Sequence, residues 1–176
     1  EAAPATPDSA LRIFRELALW PNIRPARQVR GRVELAQGRL DKAVETAREL
    51  RAFIEQGLNK RAIRYSELLE GDIEVARGNA AKGIALIEHA VSLLYAPAGL
   101  SDEHMGFYRD LALAYEKAGD MEKARATYEK ITGLTTARLS GGFHYALAFS
   151  RLGEIAEKMG DAAAAKANYE RFLELF

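Results

Sequence analysis

Residues 108–131 read YRDLALAYEKAGDMEKARATYEKI, and they decide the fold. On both sides of Gly119-Asp120, large apolar residues recur every three or four positions, as they do along one face of an α-helix. Gly119 can take the left-handed conformation that closes a helix, and Asp120 can cap the helix that follows. The stretch therefore predicts a helical hairpin. Its two apolar stripes are Tyr108, Leu111, Ala112 and Tyr115, then Met121, Ala124, Tyr128 and Ile131.

The same pattern recurs along the chain. Glycines stand at positions 38, 78, 119 and 160, at intervals of 40 or 41 residues. A small residue precedes each glycine by seven positions and another follows it by five, which lets two helices approach closely. A period of this length predicts a solenoid, in which each unit buries its apolar face against its neighbours. The small residues are Gly31, Gly71, Ala112 and Gly153, then Ala43, Gly83, Ala124 and Ala165.

The repeats predict the organisation of the chain. Residues 1–7, rich in Pro and Ala, are expected to be a linker or leader left by excision from a longer polypeptide. Residues 8–21 repeat the apolar spacing of a second helix, so they are expected to form half a repeat. The rest of a single solenoid is expected in full repeats at 24–58, 60–95, 101–134 and 143–176, with connecting loops at 95–101 and 135–142.

These repeats resemble the tetratricopeptide repeat (TPR) superfamily. The resemblance implies an all-α, right-handed α-solenoid of antiparallel helix hairpins with about four and a half repeats. The repeat length of 40–41 exceeds the family's roughly 34 residues, and charged residues stand at four positions where large apolar ones are expected. Longer repeats of this kind, and the closing stretch 151–176, are similar to those of bacterial multidomain regulators. The matching residues of the last repeat are Phe149, Leu152, Gly153, Gly160, Ala165, Tyr169 and Phe172; the four departures are Arg27, Arg30, Glu67 and Glu70.

The composition excludes several classes of function. Lys and Arg balance Asp and Glu at 25 each, so no overall field attracts nucleic acid or an anionic membrane. No apolar run approaches the roughly 20 residues that span a bilayer. The absence of cysteine removes disulfides, thiol nucleophiles and Cys-ligated zinc, and it fits a cytoplasmic location.

The sequence offers no candidate catalytic, cofactor or metal site. His89, His104 and His144 are scattered, and none has a partner at metal-ligand spacing. The stretch GNAAKG at 78–83 resembles a phosphate loop, but no Lys-Ser/Thr follows it and no strand precedes it. We therefore expect a protein that is not an enzyme and carries no cofactor.

The neutral total hides an uneven distribution of charge. Residues 24–64 carry more than twice as many Lys and Arg as Asp and Glu, whereas residues 65–108 are mainly acidic. One interpretation is a basic patch for an acidic partner, centred on RPARQVRGR at 24–32. The alternative is a ladder of salt bridges between the first helices of two stacked repeats, since equivalent positions one repeat apart are neighbours in a solenoid. The three predicted pairs are Arg27 with Glu67, Arg30 with Glu70, and Arg32 with Asp72.

The resemblance also implies where a partner would bind. In TPR arrays the first helix of each hairpin lines a concave groove that takes short peptides or partner helices. Any one of the matching positions can equally be an ordinary exposed helix residue. The Lys and Asn set of the family's clamp for C-terminal carboxylates is missing, so binding of chaperone tails is not expected. Transferred to this chain, the groove positions are Gln28, Arg32 and Leu35; Tyr65, Leu68 and Asp72; Arg109, Leu113 and Glu116; and Ser150, Glu154 and Glu157.

The favoured hypothesis is a non-catalytic protein–protein interaction scaffold from a larger bacterial signalling or transcriptional regulator. Its partner would be a protein or peptide, and not nucleic acid or membrane. The alternative is self-association into a homo-oligomer, because the last helix presents Phe172, Leu173 and Phe176 with no following helix to cover them.

Overall fold

The computed structural model describes residues 7–8, 12, 20–95, 102–134 and 142–175, and most of these are α-helical. No strand occurs among them, so the predicted all-α helical repeat fold is confirmed. The predicted leader, half repeat and two connecting loops lie largely outside the described residues, as does Phe176. The helices are α1 Trp20–Ala36, α2 Leu40–Glu55, a 3₁₀ helix Lys60–Ile63, α3 Arg64–Ala76, α4 Ala80–Ser92, α5 Asp102–Ala118, α6 Met121–Thr132, α7 Gly142–Lys158 and α8 Ala162–Glu174.

The chain divides into two compact units, Glu1–Ala90 and Val91–Phe176. The first unit holds α1, α2, α3 and nearly all of α4. The second holds α5 to α8. Each unit thus contains two hairpins, and the expectation of one continuous solenoid stays a prediction.

The four repeated glycines close the first helix of each hairpin. Gly38, Gly78, Gly119 and Gly160 have φ of 70°, 85°, 81° and 79°, in the left-handed region that favours glycine. At the third turn, the Gly119 N–H donates to the Glu116 carbonyl at 3.0 Å and the Asp120 N–H donates to the Tyr115 carbonyl at 3.0 Å. This pair of bonds is the Schellman motif, and the other three turns repeat it.

The predicted caps after these glycines are also present in the second unit. The Asp120 carboxylate accepts from the Lys123 N–H, and the Asp161 carboxylate accepts from the Ala164 N–H. In the first unit, the Asn79 side-chain amide instead donates to Glu74 Oε2 at 2.9 Å. Glu74 is 7% exposed, and this bond from Asn79, assisted by Lys82 and Arg77, lowers the pKa of its carboxyl.

The small residues predicted at the crossings lie where helices approach closely. A Cβ on Gly71 would lie 2.9 Å from the Gly83 carbonyl oxygen and 2.5 Å from Ile87 Cγ1. A Cβ on Gly153 would meet the Tyr169 ring at 2.5 Å. Only glycine leaves room for these contacts between the two helices of a hairpin.

Each unit has its own buried interior. In each hairpin of the second unit, a tyrosine nine residues after the turn glycine forms a hydrogen bond to a glutamate three residues before it, which joins the two helices. The Tyr128 hydroxyl donates to Glu116 at 2.7 Å, and the Tyr169 hydroxyl donates to Glu157 at 2.9 Å. Burial, reinforced by the bond to Glu116, raises the pKa of the Tyr128 hydroxyl.

The largest apolar cluster of the first unit consists of Ala43, Ala47, Leu50, Ile54, Ala62, Leu69 and Ile73.

Of the three ion pairs predicted between α1 and α3, one is present. Arg32 Nε lies 3.5 Å from Asp72 Oδ2. The pairing of Arg30 with Glu70 is wrong, because Arg30 pairs with Glu34 at 3.1 Å and with Glu49 at 3.7 Å.

The pairing of Arg27 with Glu67 is wrong as well, and the second helices explain both errors. Glu70 accepts two hydrogen bonds of 2.7 Å from Arg51 on α2, and these bonds to Glu70 raise the pKa of Arg51. Glu67 Oε2 lies 2.7 Å from His89 Nδ1 on α4. Arg27 lies over the Phe53 ring, 4.8 Å from its centroid. The two acids on α3 thus pair with residues on α2 and α4, the second helices of the hairpins. The predicted pairs came from the spacing between first helices alone, so they left these partners out.

We predict that Gly71→Ala destabilises the chain and that Gly106→Ala does not. The Gly83 carbonyl is backbone and cannot yield to the new methyl group, so overpacking should lower the free energy of unfolding by about 1–3 kcal/mol. Gly106 lies within α5, and apart from its own stretch of helix nothing lies within 4 Å of the place that an added methyl group would take, so alanine there should raise the free energy of unfolding by about 0.5–1 kcal/mol. Urea unfolding followed by circular dichroism gives both values. Equal effects of the two substitutions would contradict the close crossing.

We predict that Glu70 is coupled to Arg51 and not to Arg30. Glu70→Arg should lower the free energy of unfolding by about 1 kcal/mol, the upper end for a partly exposed pair, because it places two guanidinium groups together. Adding Arg51→Glu should restore most of that loss, whereas adding Arg30→Glu should not. A double-mutant cycle in urea measures both couplings. If Arg30→Glu restored the stability lost in Glu70→Arg, Glu70 would pair with Arg30, as the sequence predicted, and the prediction made here would be wrong.

Candidate functional site

The first helices of the two hairpins lie against each other in the first unit. Gly31 on α1 makes this possible, because any Cβ there would meet the Leu69 side chain of α3 at 2.5 Å. The contact brings two predicted groove residues together, since Arg32 and Asp72 form the 3.5 Å ion pair described above. Both side chains remain partly exposed, at 30% and 21%.

We call the surface formed by Arg24, Gln28 and Arg32 of α1 with Tyr65 and Asp72 of α3 the first-helix face. The three α1 residues are four positions apart, so they follow one stripe of the helix. The Arg24 guanidinium lies over the Tyr65 ring at 5.6 Å from its centroid. The Tyr65 hydroxyl accepts a hydrogen bond from Arg64 at 3.1 Å. Four predicted groove residues thus share this surface.

Gln28 sits in the middle of the α1 stripe with an unusual feature. Its side-chain nitrogen Nε2 is buried and has no hydrogen-bond partner among the described residues. A buried amide donor left unpaired costs about 1–3 kcal/mol, so such groups call for an explanation.

The groove prediction for Leu68 is wrong. Leu68 is 1% exposed and belongs to the interior of the first unit, so no partner can reach it. Because α3 contacts α1, α2 and the 3₁₀ helix, and crosses α4 at Gly71, only a narrow stripe of it stays accessible. Leu68 lies about 60° around the helix from Tyr65, which is enough to bury it. Leu35, on α1, is likewise packed partly against the apolar cluster.

In the second unit the first helices α5 and α7 also touch. Arg109 Nη1 lies 3.5 Å from His144 Nε2 of α7, and the same guanidinium donates to its neighbour Asp110 at 2.8 and 3.0 Å. Leu113 and Ser150 are half-buried on these helices. One predicted groove residue, Arg109, thus lies at the contact between α5 and α7.

The predicted acids of the second unit are engaged within their own hairpins. Glu116 holds Tyr128 and Glu157 holds Tyr169, as described above. Glu154 accepts from Arg151, one turn away, at 2.7 Å. These bonds are structural, so Glu116 in particular is a poorer ligand for a partner than its position suggests. Whether any of the predicted groove residues binds a partner stays a prediction.

Two contributors to these surfaces were not among the predicted groove residues. Arg24 belongs to the basic patch predicted at 24–32, and it could also have been assigned to the groove, because it lies one helical turn before Gln28 on the same stripe. His144 could not, since nothing in its neighbourhood in the sequence indicates that it meets Arg109.

The described residues also limit the chemistry. None of the helices among them is long and apolar enough to cross a membrane. Within the same described ranges, no three His, Asp or Glu side chains are grouped closely enough to hold a metal ion.

Comparison with known proteins agrees with this architecture. A family model described as tetratricopeptide repeat matches residues 104–176. No curated protein matches the sequence significantly.

Solved structures with the same fold span most of the chain. BtubC (BKLC) from P. vanneervenii aligns with a TM-score of 0.71 at 18% identity, covering 96% of this chain and 68% of that one. MamA aligns with a TM-score of 0.60 at 20% identity, covering 96% and 88%. Nearly identical TPR-like repeats of Podosopora anserina align with a TM-score of 0.64 at 17% identity, covering 88% and 75%. At these identities the likeness concerns the fold alone, and the match to the tetratricopeptide repeat model concerns residues 104–176.

Proposed function

We propose that this chain is a non-catalytic interaction scaffold that binds a peptide or protein partner along the first helices of its hairpins. Support comes from the TPR fold, whose units expose one helix of each hairpin to partners. It also comes from the contact between α1 and α3, which leaves Arg32 and Asp72 partly exposed side by side on neighbouring first helices.

The observation that carries the proposal is the first-helix face. It presents positive charge at Arg24 and both signs of charge at Arg32 and Asp72. An extended peptide offers side-chain charges that can pair with both ends of this surface. Charges of both signs at fixed positions set register and discriminate between partners.

The wider setting is part of the same proposal. A repeat of 40–41 residues and the closing stretch 151–176 resemble those of bacterial multidomain regulators. We therefore place this scaffold in a larger cytoplasmic signalling or transcriptional regulator, in which it recruits the partner and leaves catalysis or DNA binding to other domains.

The proposal is tested with peptides selected by display against the purified chain. Exchanging the two charges of the face, Arg32→Asp with Asp72→Arg, keeps an ion pair between α1 and α3 but reverses its direction. We expect the melting temperature to change little and the affinity of the selected peptides to fall by about tenfold, or 1.4 kcal/mol. Fluorescence anisotropy with labelled peptides measures the affinity.

The matched control exchanges a pair that lies away from the face, Arg51→Glu with Glu70→Arg. It should leave peptide affinity unchanged. If both exchanges weaken binding equally, or if neither does, the peptides do not bind the first-helix face and the proposal is wrong.

A second candidate function is self-association, and one observation favours it. Leu173 on α8 is 70% exposed and, with Tyr169 and Ala165, lines an open depression of about 560 Å³. Phe172, expected to be part of this surface, is half-buried instead, and Phe176 lies outside the described residues. Exposed apolar surface on a helix of a repeat array favours association with another copy.

Light scattering over a range of concentrations tests this candidate. If α8 forms a dimer contact, Leu173→Glu should return the mass to that of a monomer. Val29→Glu, at another exposed apolar position that is 52% exposed, should not. A monomer at all concentrations would remove self-association from consideration.

A further inference from the structure

A cavity of about 350 Å³ opens at one end of the first unit. It lies between the start of α1, the end of α2 and the segment that joins α2 to the 3₁₀ helix. Its volume is within the range of cavities that hold small ligands or single side chains of a partner. Its wall is mainly apolar, and Leu58 at its edge is fully exposed. The lining residues include Arg24, Phe53, Ile54, Leu58, Asn59 and Ala62.

Positive charge surrounds this cavity. Arg24 lines it, and Lys60 follows the lining residue Asn59 directly. Neither side chain is paired with a carboxylate of the described residues. Arg24 lies over the Tyr65 ring, and the Lys60 ammonium donates to the Glu55 carbonyl at 3.4 Å. Arg27, over Phe53, and Arg64, 4.5 Å from the centroid of Tyr65, bring two further cations to the same end.

The aromatic rings help to position these cations for binding an anion. The Arg24 guanidinium lies 5.6 Å from the centroid of the Tyr65 ring, and this cation–π contact favours its position, so less side-chain entropy is lost when it binds a carboxylate. A guanidinium can then bind a carboxylate through two parallel N–H···O bonds. An apolar cavity beside an oriented cation fits a ligand with a bulky apolar group next to a negative charge.

We propose that this cavity binds an acidic peptide segment, with one bulky apolar side chain in the cavity and flanking Asp or Glu residues on Arg24 and Lys60. This inference rests on the proposed function, because it names the class of peptide that the scaffold takes. Arg24 belongs to both surfaces, so a peptide anchored in the cavity continues onto the first-helix face.

The surroundings favour a peptide over nucleic acid or an anionic membrane. A nucleic-acid site needs a broad basic stripe, whereas α3, which contacts the lining residue Arg24 through Tyr65, carries Glu67, Glu70 and Asp72 along its length. Charge on the whole chain is balanced at 25 of each sign. The cations beside the cavity, Arg24 and Lys60, therefore form a small group and not a broad stripe.

The experiment uses three synthetic fluorescent peptides and the full chain. The first peptide has a central Phe flanked by two Asp on each side. In the second, Ala replaces the Phe, and in the third, Asn replaces every Asp. The first should bind, with an affinity that falls as salt is added. Each of the other two should bind at least about tenfold more weakly, because each loses one of the two contacts.

Variants of the chain locate the site. Arg24→Glu and Lys60→Glu should each weaken the first peptide by about tenfold. Leu58→Ser should weaken it without changing the salt dependence. The matched control is Arg48→Glu, which makes the same change of net charge at an exposed position of α2. Unchanged melting temperatures show that the variants fold.

Several outcomes would overturn the inference. One is equal binding of the first and third peptides. Another is equal loss in Arg24→Glu and Arg48→Glu, which would reflect net charge alone. A third is displacement of the peptide by a short DNA duplex or by phosphatidylserine vesicles at the same cations. If display-selected peptides still depend on Arg32 and Asp72, only this inference fails; if no peptide binds at all, the proposed function fails with it.

Discussion

Each hairpin depends on one backbone constraint, a glycine held at positive φ at the end of its first helix. The reversed chain satisfies two helix-terminal carbonyls at once, and an L-residue with a side chain would be strained there. The turn also fixes register. Because the second helix starts two residues after the glycine, positions seven before and five after it face each other, as Gly71 and Gly83 do. Helix contact in the rest of the hairpin follows from that register.

Features that depend on neighbouring residues could be read from the sequence, and features that depend on long side chains could not. The turns, the Asp caps and the small crossing residues are local or follow from the turn, and the structure contains them. Salt bridges are different, because an arginine can reach any of several helices. Glu70 pairs with Arg51 on α2 and not with Arg30 on α1, and spacing alone cannot choose between them. Repeat spacing predicted the wrong partner for two of the three ion pairs.

The candidate site shows the same division. The meeting of Arg32 and Asp72 follows from repeat spacing and could be predicted. The burial of Leu68 depends on how many helices surround α3, which a pattern along one helix does not contain. The unpaired amide of Gln28 and the cavity beside Arg24 depend on how separate segments pack, so they too required the three-dimensional structure. Sequence thus located the helices that bear the site, and packing decided which residues on them remain accessible.

The fate of the acidic residues explains why the first unit presents a positive end. Its sequence contains several carboxylates that could neutralise this charge, but the fold directs them elsewhere: Glu70 to Arg51 and Glu74 to the turn around Asn79. Glu34 is drawn inward in the same way, where it accepts from Thr46 at 2.7 Å. Because these carboxylates stabilise helix contacts, they do not offset the charges of Arg24 and Lys60 beside the cavity. A local excess of positive charge, and with it a preference for acidic partners, therefore follows from how the hairpins are held together.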